Sequence, residues 1–222
     1  MEILLVGYLT IFLLFLGYIE VIISAVNRRY LRLYSFFFSI RMIVAILMFL
    51  FWGYLNAGGD ASRYEAIVNK INDGSINSFQ DVISIYNDDS RYIYYISLCA
   101  AIDSLFGPAG VVLFQSSIHL LSGFFLHLIL DNFGLTKRKS HLILFLYVFY
   151  PYLVFYSAVY LRDIYIALAT CWFVYGLTNQ KTLFGKFFNL IIPLLIVMGI
   201  RVQYVPFYFL FYIAYYLDRK SV

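Results

Sequence analysis

The sequence predicts an all-α, polytopic membrane protein with about seven transmembrane helices and amphipathic juxtamembrane helices on its outer face. Three observations predict it. Of 222 residues, 63% are hydrophobic and only 13% charged, whereas soluble domains hold roughly 45–50% and 25%. The apolar runs are long and continuous rather than alternating, which favours helices over a barrel, because a spanning segment must satisfy its backbone internally. Basic clusters also fall at alternate ends of those runs, as the positive-inside rule requires.

Taken in order, the N-terminus Met1-Glu2-Ile3 has no basic region or small-residue cleavage site, so the first run is expected to remain as a span. Ile3 to Val26 is long enough to cross a core of ~30 Å at 1.5 Å per residue. Asn27 to Arg32 is a compact basic loop, placed in the cytoplasm. Phe36 to Asn56 forms the second span, with Arg41 near enough to its start to snorkel back to that loop.

Residues 57–90 form the outer loop and carry Asp60, Glu65, Asp73, Asp81, Asp88 and Asp89 against Arg63 and Lys70. Tyr64, Ile67, Val68 and Ile71 recur at helical spacing, giving an amphipathic helix on the membrane surface. Phe79, Val82, Ile83 and Tyr86 suggest a second, between breaks at residues 72–75 and 87–90.

Residues 91–107 are read as interfacial or re-entrant, because Tyr92 to Phe106 would reach only ~22 Å as a helix. That segment also carries Asp103 and ends at Gly107-Pro108. Val111 to Leu130 then crosses inward to Lys137-Arg138-Lys139. Residues 141–156 go outward, with a kink expected at Pro151, and 157–163 lie at the outer face. Residues 164–177 return to a loop with Lys181 and Lys186, 188–200 go out to Arg201, and 204–217 come back to Asp218-Arg219-Lys220.

The result is a single integral membrane domain over residues 1–222, N-terminus outside and C-terminus cytoplasmic. No internal repeat is visible. Ten of the sixteen Lys and Arg residues fall on the cytoplasmic side.

Three polar positions then converge at the outer face: Asp60, the pair Arg162-Asp163, and Arg201. An arginine in an apolar stretch costs ~2.5–3.5 kcal/mol at a helix centre, so it needs a partner or a task. Guanidinium forks grip phosphate oxygens, and a nearby carboxylate accepts a proton from an incoming hydroxyl. Each residue also has a plainer reading. Asp60 suits a helix N-cap, Arg162 and Asp163 suit an internal pair, and Arg201 suits an interfacial anchor.

His119 and His127, eight apart without a carboxylate companion, read as structural. Cys99 and Cys171 have neither metal-ligand nor disulfide spacing. No cofactor is indicated, and the need for a divalent metal is left open. Scattered basic residues at a net charge of +4 argue against a nucleic-acid partner.

Gly58-Gly59-Asp60-Ala-Ser-Arg63-Tyr64, followed by Arg91-Tyr92-Ile-Tyr94-Tyr95 through Leu105-Phe106-Gly107, and then Pro151-Tyr-Leu-Val-Phe-Tyr156-Ser157 through Leu161-Arg162-Asp163, stand in a telling order. That order resembles the GT-C glycosyltransferase superfamily, in particular the membrane polymerases of bacterial O-antigen, capsule and exopolysaccharide repeat units. The resemblance covers roughly residues 36–217, in order and topology more than in dense identity. It implies a GT-C-like fold in a bacterial cytoplasmic membrane and a polyprenyl-(pyro)phosphate-linked sugar donor, with the bilayer and other polysaccharide-assembly membrane proteins as partners.

It also implies a catalytic role for Asp60, and substrate-binding roles for Arg162 and Arg201, with Asp163, Tyr64 and Arg63 beside them. The chain departs from those polymerases in ending soon after its seventh predicted span. The alternative from another class is a noncatalytic protein that binds or transports a lipid-linked solute.

Overall fold

The computed structural model describes residues 2–51, 60–76, 78, 80–82, 93–160, 162–179 and 183–220, with the side chains of residues 2, 60, 183, 184, 186 and 218–220 outside the description. The described chain is helical throughout: α1 (Glu2–Arg28), α2 (Leu31–Leu50), α3 (Asp60–Asn72), α4 (Ile93–Asn132), α5 (Lys137–Val148), α6 (Pro151–Ala158), α7 (Asp163–Thr178), α8 (Leu183–Arg201) and α9 (Val205–Lys220), with a 3₁₀ turn at Val202–Tyr204. Four helices are long and apolar enough to cross a membrane, or five if the bent pair α5 and α6 counts as one span. The chain is built as a membrane-embedded protein. The proposed second surface helix at 79–86 falls largely outside the described residues.

α4 is the axis of the bundle and is two arms rather than one rod. Gly107 sits at φ 68°, ψ −178°, a left-handed conformation that costs glycine little, and Pro108 after it supplies no N–H to carry the ladder across. The arms fold back on each other, since Gln115 Nε2 donates to Tyr95 Oη at 2.9 Å. Those residues lie ~12 and ~18 Å from the bend at 1.5 Å per residue, so they meet only across an acute angle.

α3 runs beside the first arm and parallel to it. Tyr64 packs edge-on against Tyr95 with centroids 5.4 Å apart, and eight residues later Asn72 Nδ2 donates to Asp103 at 2.5 Å. The stripe Ala61, Tyr64, Ile67, Val68 and Ile71 is buried against protein. The expectation that this apolar face rests on lipid is therefore corrected, because the first arm of α4 offers it a closer apolar surface.

α1 descends along α4 at contact distance. A Cβ at Gly7 would stand 2.2 Å from the Ser97 carbonyl oxygen, so only glycine permits this approach. α8 runs antiparallel to α7, with Trp172 Nε1 donating to Asn189 Oδ1 at 2.6 Å near one end and Arg201 meeting Asp163 at the other. The backbone leaves the helix at Arg201 (φ −153°, ψ 79°) and α9 turns back along α7, where Tyr208 Oη bonds Thr170 Oγ1 at 2.8 Å.

Arg41 does not snorkel. α2 starts at Leu31, so Arg41 is its eleventh residue of twenty and fully buried. It donates to the Ser157 hydroxyl and, at 3.4 Å, to the Val154 carbonyl, while its Nε and Nη1 find no hydrogen-bond partner among the described residues. Ser157, expected at the outer face, is equally buried as Arg41's acceptor. The break at Pro151 bends α5 against α6 by 47° and aims the end of α6 at mid-helix α2.

Candidate functional site

The ends of four elements gather at one end of the bundle: the start of α3, the beginning of the first α4 arm, the start of α7 and the end of α8. Three tyrosine rings tie them together. Tyr95 lies 5.4 Å from Tyr64 and 5.7 Å from Tyr165, all three buried. The ring of Tyr94 lies 3.3 Å from where a Cβ on Gly199 would stand, which brings α8 to the same place.

Arg162 caps α7 and is only 8% exposed. Asp163 opens the helix and pairs with Arg201 Nη2 at 3.1 Å. This pairing puts an acid at the N-terminus of α7 and a base at the C-terminus of α8, each favoured there by the helix dipole. Arg201 also donates to Tyr204 Oη at 3.3 Å and lies 5.7 Å from the centre of that ring, while its Nε is buried without a hydrogen-bond partner among the described residues.

The structure thus brings Arg162, Asp163 and Arg201 together. Asp60 is the first residue of α3, one turn before Tyr64, but its side chain lies outside the description. Tyr64 is 2% exposed and braced on Tyr95, so it is a wall of the site rather than an open contact. Arg63 is exposed on the same helix.

One feature escaped the sequence reading. A cleft of about 250 Å³ runs between α7 and α9, walled by Ile166, Thr170, Phe173, Val174, Tyr204, Phe207, Tyr208 and Phe211. Tyr204 is both a wall of this cleft and the partner of Arg201, so the guanidinium stands at its mouth. The sequence signal was present as apolar and aromatic residues at helical spacing on 204–211, which looked like ordinary lipid-facing surface.

Beside α3, burial raises the Glu65 carboxyl above its ordinary 4.5, with the negative charge of Asp103 adding to the shift. Asp103 accepts from Asn72 through Oδ2, while its Oδ1 is buried without a hydrogen-bond partner among the described residues. No group of three or more His, Cys, Asp or Glu residues able to hold a metal ion occurs among the described residues.

Comparison of the chain with family models, curated proteins and solved structures finds no match.

Proposed function

We propose that this protein is a membrane glycosyltransferase of the polysaccharide-polymerase class, taking a polyprenyl-(pyro)phosphate-linked sugar donor at the outer face of a bacterial cytoplasmic membrane. The observation that carries the reading is the position of Arg201, paired with Asp163 next to the buried Arg162, at the mouth of an apolar cleft. A ligand with an anionic head and an isoprenoid tail fits both halves of that arrangement, because guanidinium groups bind phosphate oxygens and the aromatic walls suit a hydrocarbon chain.

In this reading the acceptor hydroxyl attacks the sugar C1, its proton passes to Asp60, and the bond from C1 to the phosphate oxygen breaks. The departing diphosphate carries its negative charge to Arg162 and Arg201, an electrostatic contribution of several kcal/mol when such donors are preorganised. Asp163 holds Arg201 in place. The crossings are α1, α2, the second arm of α4, the α5 and α6 pair, α7, α8 and α9, seven in all, with the N-terminus outside and the C-terminus cytoplasmic.

The test is a pair of substitutions in a cell that depends on this chain for polymer. Asp60→Asn should retain binding of polyprenyl diphosphate and abolish polymer; Arg162→Ala should weaken both. Normal polymer from both variants at normal protein levels removes the assignment. Diphosphate-dependent movement of lipid without sugar transfer selects the transport alternative.

A further inference from the structure

At the opposite end of the bundle a second cleft, of about 310 Å³, lies between α1 and α2. Tyr18, Ile22 and Ala25 line one side of it, Ser35 and Phe38 the other, and Phe124 its floor. Arg29 comes directly after the last residue of α1, four residues beyond Ala25. Arg32 follows Leu31, another lining residue, at the start of α2. Both arginines are exposed. Arg29 holds φ 62° in the link between the helices, a conformation few residues other than glycine adopt without cost.

Arg28 is spoken for, since it pairs with Asp131 and donates to Asn132 at 2.7 Å. Those contacts bring residues 28–32 and Lys137 to Lys139 to one end of the bundle. That end is the cytoplasmic one by the positive-inside rule.

We propose that the α1/α2 cleft is a binding site for one anionic phospholipid of that leaflet, an acyl chain lying between Ile22 and Phe38 and the headgroup phosphate resting on Arg29 and Arg32. An apolar cleft of this size, ending at two exposed cations at headgroup depth, matches such a lipid in both charge and polarity. A second copy of the chain docking here through the same face would bring two pairs of arginines together, so charge disfavours it. The site is independent of the α7/α9 cleft, and the proposal stands whether or not the enzymatic reading does.

The purified full chain in neutral detergent is titrated with phosphatidylglycerol and, separately, with phosphatidylcholine of the same acyl chains, with bound lipid counted by native mass spectrometry. One retained phosphatidylglycerol per chain is expected, preferred over phosphatidylcholine. Arg29→Gln with Arg32→Gln should cut that preference roughly thirtyfold, two arginines each contributing about the usual surface electrostatic share.

Ser35→Trp, which fills the cleft and keeps both charges, should lose the retained lipid as well. Lys137→Gln with Arg138→Gln removes the same charge from the same end without touching the cleft, and should leave binding unchanged. Glycerol 1-phosphate in excess should not displace the lipid. Equal binding of the two lipids, an unchanged Arg29/Arg32 variant or Ser35→Trp, an equal loss from the Lys137/Arg138 variant, or displacement by glycerol phosphate each overturns the proposal. Elution of each variant as a single species checks that it has folded.

Discussion

The two ends of the bundle carry the same pair of residue types and use them differently. At one, Arg28 pairs with Asp131, donates to Asn132, and shares Asp131 with Tyr30 at 3.0 Å, while Asn132 reaches Thr178 at 3.1 Å. The Asp131 side chain is 30% exposed there, and hydrogen bonds through it and Asn132 link α1, Tyr30, α4 and α7. At the other, Arg201 meets Asp163 at 3.1 Å, the carboxylate side chain is 49% exposed, and the guanidinium leans on Tyr204 at the lip of a cleft. An ion pair knitted into neighbouring hydrogen bonds fastens helices; one left half in solvent can exchange its partner for a ligand.

Removing the two arginines should therefore have opposite signatures. Arg28→Ala leaves Asp131 part-buried with Tyr30 alone. A fully buried broken pair costs roughly 3–5 kcal/mol, and partial exposure brings the expected loss here to about 2 kcal/mol, read as a lower thermal midpoint in detergent. Arg201→Ala should cost under about 1 kcal/mol, since pairs this exposed contribute little, yet it should weaken polyprenyl diphosphate binding at least about tenfold. Equal stability losses at the two ends would break the comparison.

Gly7→Ala tests whether the open end depends on the first arm of α4. The added Cβ falls 2.2 Å from the Ser97 carbonyl and 2.7 Å from the Ala101 Cβ, neither able to rotate away. Overpacking of this kind costs about 1–3 kcal/mol. The displaced arm carries Tyr95, so ligand binding at Arg201 should fall too, while phosphatidylglycerol retention at the other end stays. Ile166→Trp fills the α7/α9 cleft from its wall. Ile166 is half-buried against the core, so the larger ring should cost about 1 kcal/mol of stability and reduce diphosphate-lipid binding about tenfold.

Much of this was legible from the chain, for identifiable reasons. Long apolar runs mark the main helices because helical rise fixes how many residues cross a bilayer. Gly107-Pro108 announces the bend in α4, since that dipeptide combines a left-handed backbone with a missing donor. Arg41 lies deeper than the sequence places it because the apolar run starts at Phe36, after the basic loop. Leu31 to Ser35 are helical as well, and the extra turn moves Arg41 from the rim to the middle of α2. The bond between Arg201 and Asp163 was invisible for a different reason: periodicity shows which face of a helix is apolar, not which helix lies against it. The α7/α9 cleft was hidden likewise, because cleft walls and lipid-facing surface draw on the same side chains.

The smallest expected effect concerns α3, the helix that carries Asp60 to the open end. Glu65 sits half-buried on it, its carboxyl held above the ordinary value by burial and then by Asp103. For an acid raised in the folded state, the contribution to docking is fully present below the unfolded value and is lost as pH rises through the folded one. α3 should therefore hold to α4 most firmly near pH 4 and loosen toward neutrality, by less than about 1 kcal/mol because water screens a carboxyl this exposed. Hydrogen exchange at Tyr64 to Ile71, corrected for the intrinsic rate, should show protection falling over that range. Glu65→Gln should flatten the profile and raise protection at neutral pH, where the ionised glutamate is the form that burial and Asp103 disfavour. A variant as pH-dependent as the parent would assign the loosening to another group and leave the docking of α3 indifferent to Glu65.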